Sequence, residues 1–338
     1  MIKLGVLYGG KSTEREVSRK SAKSVLDNLN KEKYEIYPIF IDENGTWFEE
    51  NETEKIEIEN VIKYLKNLDV VFPVLHGLWG EDGTIQGLFE IAGVKYVGCK
   101  VLASSIGMDK AYTKIIFEKA NIKQTKYLYI KKYRGNKYIY IDGQMNEKLI
   151  TMDELLDIAE KELKYPIFVK PSNSGSSVGV NKAQNRDELR HNIEEAQKFD
   201  NKILIEQGII GKEVECAVLG NDEIGIEVTN PGEILPAGEY YSFDSKYNDA
   251  SSETLLDSRI SEEQKRNIME LAKKAFIAID GNGLSRVDFF VENSTNKIYI
   301  NEINTMPGFT NISMYPKLFE KYGYEYSKLL DKIIEISL

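Results

Sequence analysis

Residues 301–315 read Asn-Glu-Ile-Asn-Thr-Met-Pro-Gly-Phe-Thr-Asn-Ile-Ser-Met-Tyr and follow a strand-like run, Lys297-Ile-Tyr-Ile300. Side chains alternate along a strand, so Glu302 and Asn304 fall on the same side of the backbone. A carboxylate and an amide oxygen two residues apart at a strand end suit a hard cation such as Mg²⁺. The preceding run, Arg286-Val-Asp-Phe-Phe-Val291, breaks at Asn293-Ser-Thr-Asn296 and is expected to pair with the next as a hairpin, bringing Asp288 beside Glu302. Asp288, Glu302 and Asn304, with Arg286 two residues ahead of the first, describe a phosphate-handling metal site. The alternative is an edge hairpin carrying ordinary surface charges. Pro307-Gly308 ends the strand abruptly just past the ligands, which favours the metal reading.

Working outward, 338 residues at roughly 100–200 per domain predict two or three domains. A hydrophobic fraction of 42% and a charged fraction of 29% are an ordinary globular balance and exclude a disordered chain. No window approaches the roughly 18 uncharged apolar residues of a membrane span, and the apolar run at the N-terminus is too short for a signal peptide, so a cytoplasmic location is expected. Cys99 and Cys216, the two cysteines, stand far apart in strand-like surroundings, which predicts buried thiols. A formal net charge of −10 offers no phosphate-neutralising surplus and argues against a nucleic-acid binder, though not against a local basic pocket for a nucleotide.

Near the N-terminus, an apolar strand at 2–8 runs into Gly9-Gly10-Lys11-Ser12, a helix follows over about 16–29, and strands are expected at 34–41 and 68–75. That order describes a doubly wound α/β domain, whose ligands sit beyond the carboxyl ends of the strands, where Gly9-Gly10 and His76-Gly77 lie. The Gly9–Glu14 turn has neither the P-loop nor the dinucleotide glycine spacing. It presents Glu14 near a helix start, where an acidic residue also complements the helix dipole. Further on, helices are expected over about 83–92, from the end of a 103–110 lead-in to 120, and over 186–198, 261–279 and 325–334, and strands at 94–97, 126–130, 138–141, 166–169, near 180, and at 202–207, 211–219 and 223–229. Between two of these strands, Lys170-Pro-Ser-Asn-Ser-Gly-Ser-Ser-Val-Gly179 is a small-residue loop able to close over phosphates as an anion nest, or an ordinary turn. The polar stretch 240–256 has the character of a lid.

Taken in order, these pieces resemble the ATP-grasp enzymes, and among them closely the D-alanine–D-alanine ligases. The residues that carry the resemblance span nearly the whole chain: Gly-Gly-Lys-Ser-Thr-Glu-Arg-Glu-Val-Ser (9–18), Leu-His-Gly-Leu-Trp-Gly-Glu-Asp-Gly-Thr-Ile-Gln-Gly (75–87), Tyr-Val-Gly (96–98), Met-Asp-Lys (108–110), Val-Lys-Pro-Ser-Asn-Ser-Gly-Ser-Ser-Val-Gly-Val (169–180), Ser-Arg-Val-Asp (285–288) and the stretch quoted first. The resemblance implies an ATP-grasp fold of mixed α/β (α+β) class with an N-terminal doubly wound (pre-ATP-grasp) domain. The expected domains are 1–97, a central subdomain 98–185 and a C-terminal subdomain 186–338 with a lid at about 239–257. It also implies ATP-dependent joining of two D-alanine molecules through an acyl phosphate for peptidoglycan precursor synthesis, two Mg²⁺ ions that Mn²⁺ can replace, and a homodimer.

Carried over residue by residue, Lys110, Lys170 and Lys246 match contacts to the nucleotide phosphates, Ser177 and its neighbours the covering loop, and Glu206 and Glu213 positions near adenine and ribose. Gln207 to Ile209 match the hinge. Glu14 matches the acceptor of the first substrate's ammonium, with His76 beside it. Ser176, Tyr247 and Glu14 match a hydrogen-bonded triad. Arg286 and the backbone N–H of Gly308 match an oxyanion hole, Ser313 and Met314 the pocket of the second D-alanine, and Asp288, Glu302 and Asn304 the metal ligands. The lid departs from the family pattern: it reads Tyr241-Ser-Phe-Asp-Ser-Lys-Tyr247 and ends Leu255-Leu-Asp-Ser-Arg259. Rival readings are a ligase using D-serine or D-lactate as acceptor, the latter disfavoured by a lid without histidine, and a non-catalytic ATP-binding protein of the same fold.

Overall fold

The computed structural model describes residues 1–49, 54–57, 60–235 and 253–338. Strand β1 (Ile2–Gly9) lies between β2 (Tyr34–Ile41) and β5 (Val70–Pro73), both parallel to it, while β3 (Trp47–Glu49) and β4 (Glu54–Ile56) extend the far edge antiparallel. Parallel neighbours need crossovers, supplied by α1 (Arg15–Asn28) and, before β5, by the short α2 (Val61–Leu65). Helix α3 (Thr84–Ala92) stops at Gly93, whose φ of +65° suits the left-handed cap that glycine adopts without strain. The strand expected at 94–97 is a single bridge between Tyr96 and Val71. Asp109 then separates α4 (Val101–Met108) from α5 (Lys110–Lys119), its carboxylate accepting from Ala111 N at 3.2 Å.

The second sheet comprises β6 (Tyr127–Lys132), β7 (Lys137–Ile141), β8 (Glu147–Thr151), β9 (Ile167–Pro171), β10 (Asn181–Ala183) and β11 (Lys202–Gln207), in the order β10-β9-β11-β6-β7-β8 with antiparallel pairing. Helices α6 (Met152–Glu162) and α7 (Arg186–Ala196) cover one face. Helix α6 had no counterpart in the sequence reading, although Thr151 and Glu154 form a capping box at its start. The expected boundary at 185/186 falls inside this layer, because β11 sits between β9 and β6 and Ile193 of α7 packs on the same core as Val169 and Ile205.

The third sheet is β15-β14-β12-β16-β17, from β12 (Gly211–Asn221), β14 (Gly232–Leu235), β15 (Glu253–Leu255), β16 (Gly283–Glu292) and β17 (Ile298–Asn304), with β13 (Gly225–Val228) on β12. Helix α8 (Glu262–Ala278), opened by a Ser261 capping box, covers one face. Two helices close the chain, α9 (Met314–Tyr322) and α10 (Tyr326–Glu335); only the second was anticipated.

The hairpin that opened the reading has one feature that period-two alternation does not contain. Asp288 faces Glu302, but the next pair is Phe289 with Ile300, so Asn301 is an extra residue in β17. Strict alternation from Ile300 would send Glu302 into the core beside it. The bulge reverses the faces: Ile300 and Ile303 pack under α8, while Glu302 and Asn304 turn outward.

Apolar burial, at about 1.5–3 kcal/mol per large side chain, is distributed unevenly between the layers. The first and third share a core, in which Leu4, Val6 and Phe72 of the first sheet pack with Leu219, Leu284 and Phe309 and with Leu329, Leu330, Ile333 and Ile334 of α10. The second sheet has its own core, including Leu128, Ile130, Leu156, Val169 and Ile205.

Candidate active site

The three layers meet around a cleft of about 870 Å³. Glu14, His76, Lys110, Lys170, Ser176, Ser177, Glu206, Gln207, Ile209, Glu213, Arg286, Glu302, Asn304, Gly308, Ser313 and Met314 all line it. Asp288 does not; it is 1% exposed and lies behind Arg286. Lys246, Tyr247 and most of the expected lid fall outside the described residues.

At the end nearest the first sheet, Glu14 opens α1 and is wedged between two glycines: a Cβ at Gly77 or Gly175 would collide with its carboxylate. The Ser176 hydroxyl donates to Glu14 Oε1 across the cleft. Ser176 and Ser177 reach it with φ of +46° and +60°, a left-handed backbone that residues with a Cβ adopt at a cost of order 1–3 kcal/mol. Beside Glu14, the half-buried Glu81 accepts from Gly77 N at 2.6 Å and Met306 N at 3.2 Å. Burial, and then the charge of Glu14, push its carboxyl up to about 8.

His76 uses both ring nitrogens. Nδ1 lies 3.1 Å from the Met306 carbonyl and Nε2 3.0 Å from Ser21 Oγ, which itself accepts from Phe309 N at 3.2 Å. Nδ1–H donating to the carbonyl leaves Nε2 to accept from Ser21, a neutral tautomer that satisfies all three groups. Burial lowers the imidazole pKa to about 4, in keeping with that state. The ring thus joins the end of β5 to the segment after β17.

In that segment a Cβ at Gly308 would come within 2.8 Å of Ser313 Oγ, so the backbone there can approach Ser313 only as glycine. Ser313 stands at the N-cap of α9, and its hydroxyl accepts from Thr310 N at 3.0 Å. Met314 follows, 4% exposed.

At the opposite end, Lys170 of β9 donates to Glu206 of β11 at 3.0 Å and reaches Asn301 at 3.5 Å. Lys110 donates to the Ser174 carbonyl at 2.5 Å and stands 3.8 Å from Glu302. Gln207 and Ile209 flank the connection from β11 to β12, where Gly208 N donates to the Pro166 carbonyl at 2.8 Å, and Glu213 follows on β12.

Between these ends lies the candidate metal set. Register places Asp288 opposite Glu302 and Arg286 opposite Asn304. Arg286 donates to Asp288 through Nε at 2.7 Å and Nη2 at 2.6 Å, Glu215 lies 3.2 Å from the same Nε, and Asn304 Nδ2 donates to Asp288 at 3.1 Å. Two carboxylates and an amide are oxygen donors of the kind Mg²⁺ takes, and they leave about half of an octahedral shell to phosphate oxygens and water. Among the described residues no three Asp, Glu, His or Cys groups form a closed cage. The donor set therefore fits an ion shared with a phosphate-bearing ligand better than a structural one.

Sequence reasoning passed over Glu81, Ser21, Glu215 and Lys114. Glu81 lay inside the quoted 75–87 motif. Glu215 shares its strand face with Glu213 by period two, and Lys114 stands one helical turn from Lys110.

Two family models match the chain: "D-ala D-ala ligase N-terminus" over residues 3–99 and "D-ala D-ala ligase C-terminus" over 116–335. The D-alanine–D-alanine ligase of Clostridium acetobutylicum is 46% identical over 349 residues, covering 99% of this chain and 97% of the relative. Among solved structures, the VanG D-Ala:D-Ser ligase from Enterococcus faecalis superimposes with a TM-score of 0.83 at 34% identity, covering 100% and 99% of the two chains. The D-alanine-D-alanine ligase from Coxiella burnetii does so with 0.79 at 32%, covering 99% and 93%.

Proposed function

The chain belongs to the D-alanine–D-alanine ligase family, and from that premise we propose how its cleft carries out the ligation. The enzyme has the ATP-grasp fold and joins two D-alanine molecules at the expense of ATP, a step of peptidoglycan precursor synthesis. A carboxylate is a poor acyl donor because its oxygen leaves badly. Phosphorylation of the first D-alanine by ATP gives an acyl phosphate and ADP; attack by the amine of the second D-alanine forms the peptide bond and expels phosphate.

In our reading Glu14 holds the ammonium of the first D-alanine, with Ser176 fixing the carboxylate that receives it. Lys110 and Lys170 meet the phosphates, Ser177 closes over them, and Glu213 with the Gln207–Ile209 connection seats the nucleoside. Arg286 and the Gly308 N–H face the oxygen that gains charge as the carbonyl becomes tetrahedral, where preorganised donors contribute most. Ser313 takes the carboxylate of the second D-alanine at the start of α9, with Met314 against its methyl group. Asp288, Glu302 and Asn304 would hold Mg²⁺, which would supply charge neutralisation for phosphoryl transfer.

The observation that carries this assignment is the meeting of Glu14 and Ser176 with Arg286, Glu302 and Asn304 around a single cleft, with Asp288 bonded to Arg286 and Asn304 beneath it. The test is phosphate release from ATP and Mg²⁺ with D-alanine, with D-serine and D-lactate offered as second substrates. D-alanine alone is expected to support full turnover. Silence with every pair would sink the assignment, and preferential D-alanyl-D-serine formation would change the acceptor.

Among the described residues no helix is long and apolar enough to cross a membrane, and an enzyme fed by ATP fits the cytoplasm. A homodimer is inferred through α3 and α4, on which Ile91, Val101 and Leu102 stand exposed.

A further inference from the structure

Lys114 is the one lysine buried among the described residues, and the ligation scheme leaves it without a task. It lies on α5 one turn after Lys110, but only Lys110 reaches the cleft; Lys114 is 2% exposed and stops short of it. Its ammonium stands 3.5 Å from Glu206 Oε1. Glu206 Oε2 accepts from Lys170 at 3.0 Å and from Thr125 Oγ1 at 3.3 Å. Burial works against the charge of Glu206, yet Lys114 and then Lys170 hold its carboxyl down to about 2. Burial likewise pulls the Lys114 ammonium down, and Glu206 opposes that pull.

Two ammonium groups around one carboxylate leave one positive charge over. Without Lys114, Glu206 and Lys170 would close into a neutral pair, and drawing Lys170 toward an anion would strip a buried carboxylate of its partner, which is strongly unfavourable. With Lys114 in place, Glu206 keeps a counter-charge when Lys170 turns to a ligand. We propose that Lys114 is a positioning residue for the nucleotide: by neutralising Glu206 from behind, it leaves the Lys170 ammonium available to the ATP phosphates. The inference rests on the reading that Lys170 meets those phosphates, and it adds a residue that touches neither substrate.

The test separates phosphate recognition from folding. ATP and adenosine affinities are measured without D-alanine, by calorimetry or by competition, for the parent chain, Lys114→Met and the double variant Lys114→Met/Glu206→Gln. Lys114→Met is expected to weaken ATP about tenfold with adenosine changed less than about twofold, because only the phosphate contact is affected. The double variant removes the carboxylate that would capture Lys170, and its ATP-to-adenosine affinity ratio is expected within about threefold of the parent. Equal loss for both ligands, an unchanged ratio in the single variant, or no recovery in the double would overturn the proposal. Should Lys114→Met not fold, the double variant, which leaves no unpaired buried charge, decides alone: a ratio reduced tenfold overturns the proposal. D-alanine-dependent phosphate release by the parent chain reports separately on the activity itself.

Discussion

His76 is held neutral by its surroundings, and that has a pH signature. Its folded-state pKa of about 4 lies below the ordinary 6.5, so between those values the unfolded chain binds a proton that the folded chain refuses. The stability due to His76 is complete above about pH 6.5 and is lost as pH falls through 4, on the order of 3 kcal/mol in all. Glu81 works in the opposite sense: with its pKa raised to about 8 from 4.5, it lends stability that declines as pH rises through that window. Because the two slopes oppose each other between about pH 4.5 and 6.5, the His76 contribution is read as a difference: the gap in urea midpoint between the parent chain and His76→Gln is expected to narrow as pH falls from 7 to 4, and a gap independent of pH would contradict the assignment. Glu302→Gln tests the metal set. It is expected to lower turnover by at least about 10²-fold with a native circular dichroism spectrum, since an amide keeps the shape but loses the charge that a hard cation needs; near-normal turnover would remove Glu302 from the site. At this scale much of the site could be read from the sequence, because Glu302 and Asn304, Arg286 and Asp288 are separated by two residues on strands. What stayed hidden was the bulge at Asn301, which no local pattern signals, and the Lys114–Glu206 pair, whose members meet only after a helix has folded over a sheet.

Helix α5 shows how one element serves both stability and site. Asp109 caps it through Ala111 N, accepts from Ser172 Oγ at 2.6 Å, and is paired with Lys202, so the start of the helix is riveted to the second sheet. Asp109→Ala removes the cap and leaves buried donors unmatched. It is expected to cost roughly 1–3 kcal/mol by denaturant melts and to raise the KM for ATP, because Lys110 is the next residue; an unchanged KM would show that Lys110 is placed by other contacts. Elements with strong periodicity and clear ends, such as β11 and α8, match their expected ranges within a residue or so. Helix α9 escaped because Ser313 and Met314, at its start, match a substrate pocket in the family pattern. Strand β8 escaped because Glu147 to Leu149 are all exposed and carry no buried-face pattern.

On the scale of the whole molecule, the cleft is walled by all three layers, so a nucleotide bound there ties separately packed cores together. ATP at about a hundred times its dissociation constant is expected to stabilise the fold by about 2.7 kcal/mol, seen as a rise in melting temperature; no rise would mean the cleft does not take the nucleotide. Leu102→Asp is expected to convert a dimer to monomer in sedimentation while leaving the melting temperature of the monomer unit little changed, and a persisting dimer would place the contact elsewhere. The first layer was legible because strand, helix and strand in order with an apolar strand at 68–75 signal a doubly wound sheet; the assignment of β11 was not, since a strand's partners are a long-range fact. The core shared by the first strand and the last helix also carries a consequence for synthesis. Leu4 and Val6 are made well ahead of the side chains that share their core, Leu329 to Ile334. The nascent first layer must therefore keep an oily face open while the other two layers are synthesised, a natural handhold for chaperones. The second sheet, with a core drawn from residues 128–205, needs nothing from downstream. The middle of this protein is expected to be finished before its beginning.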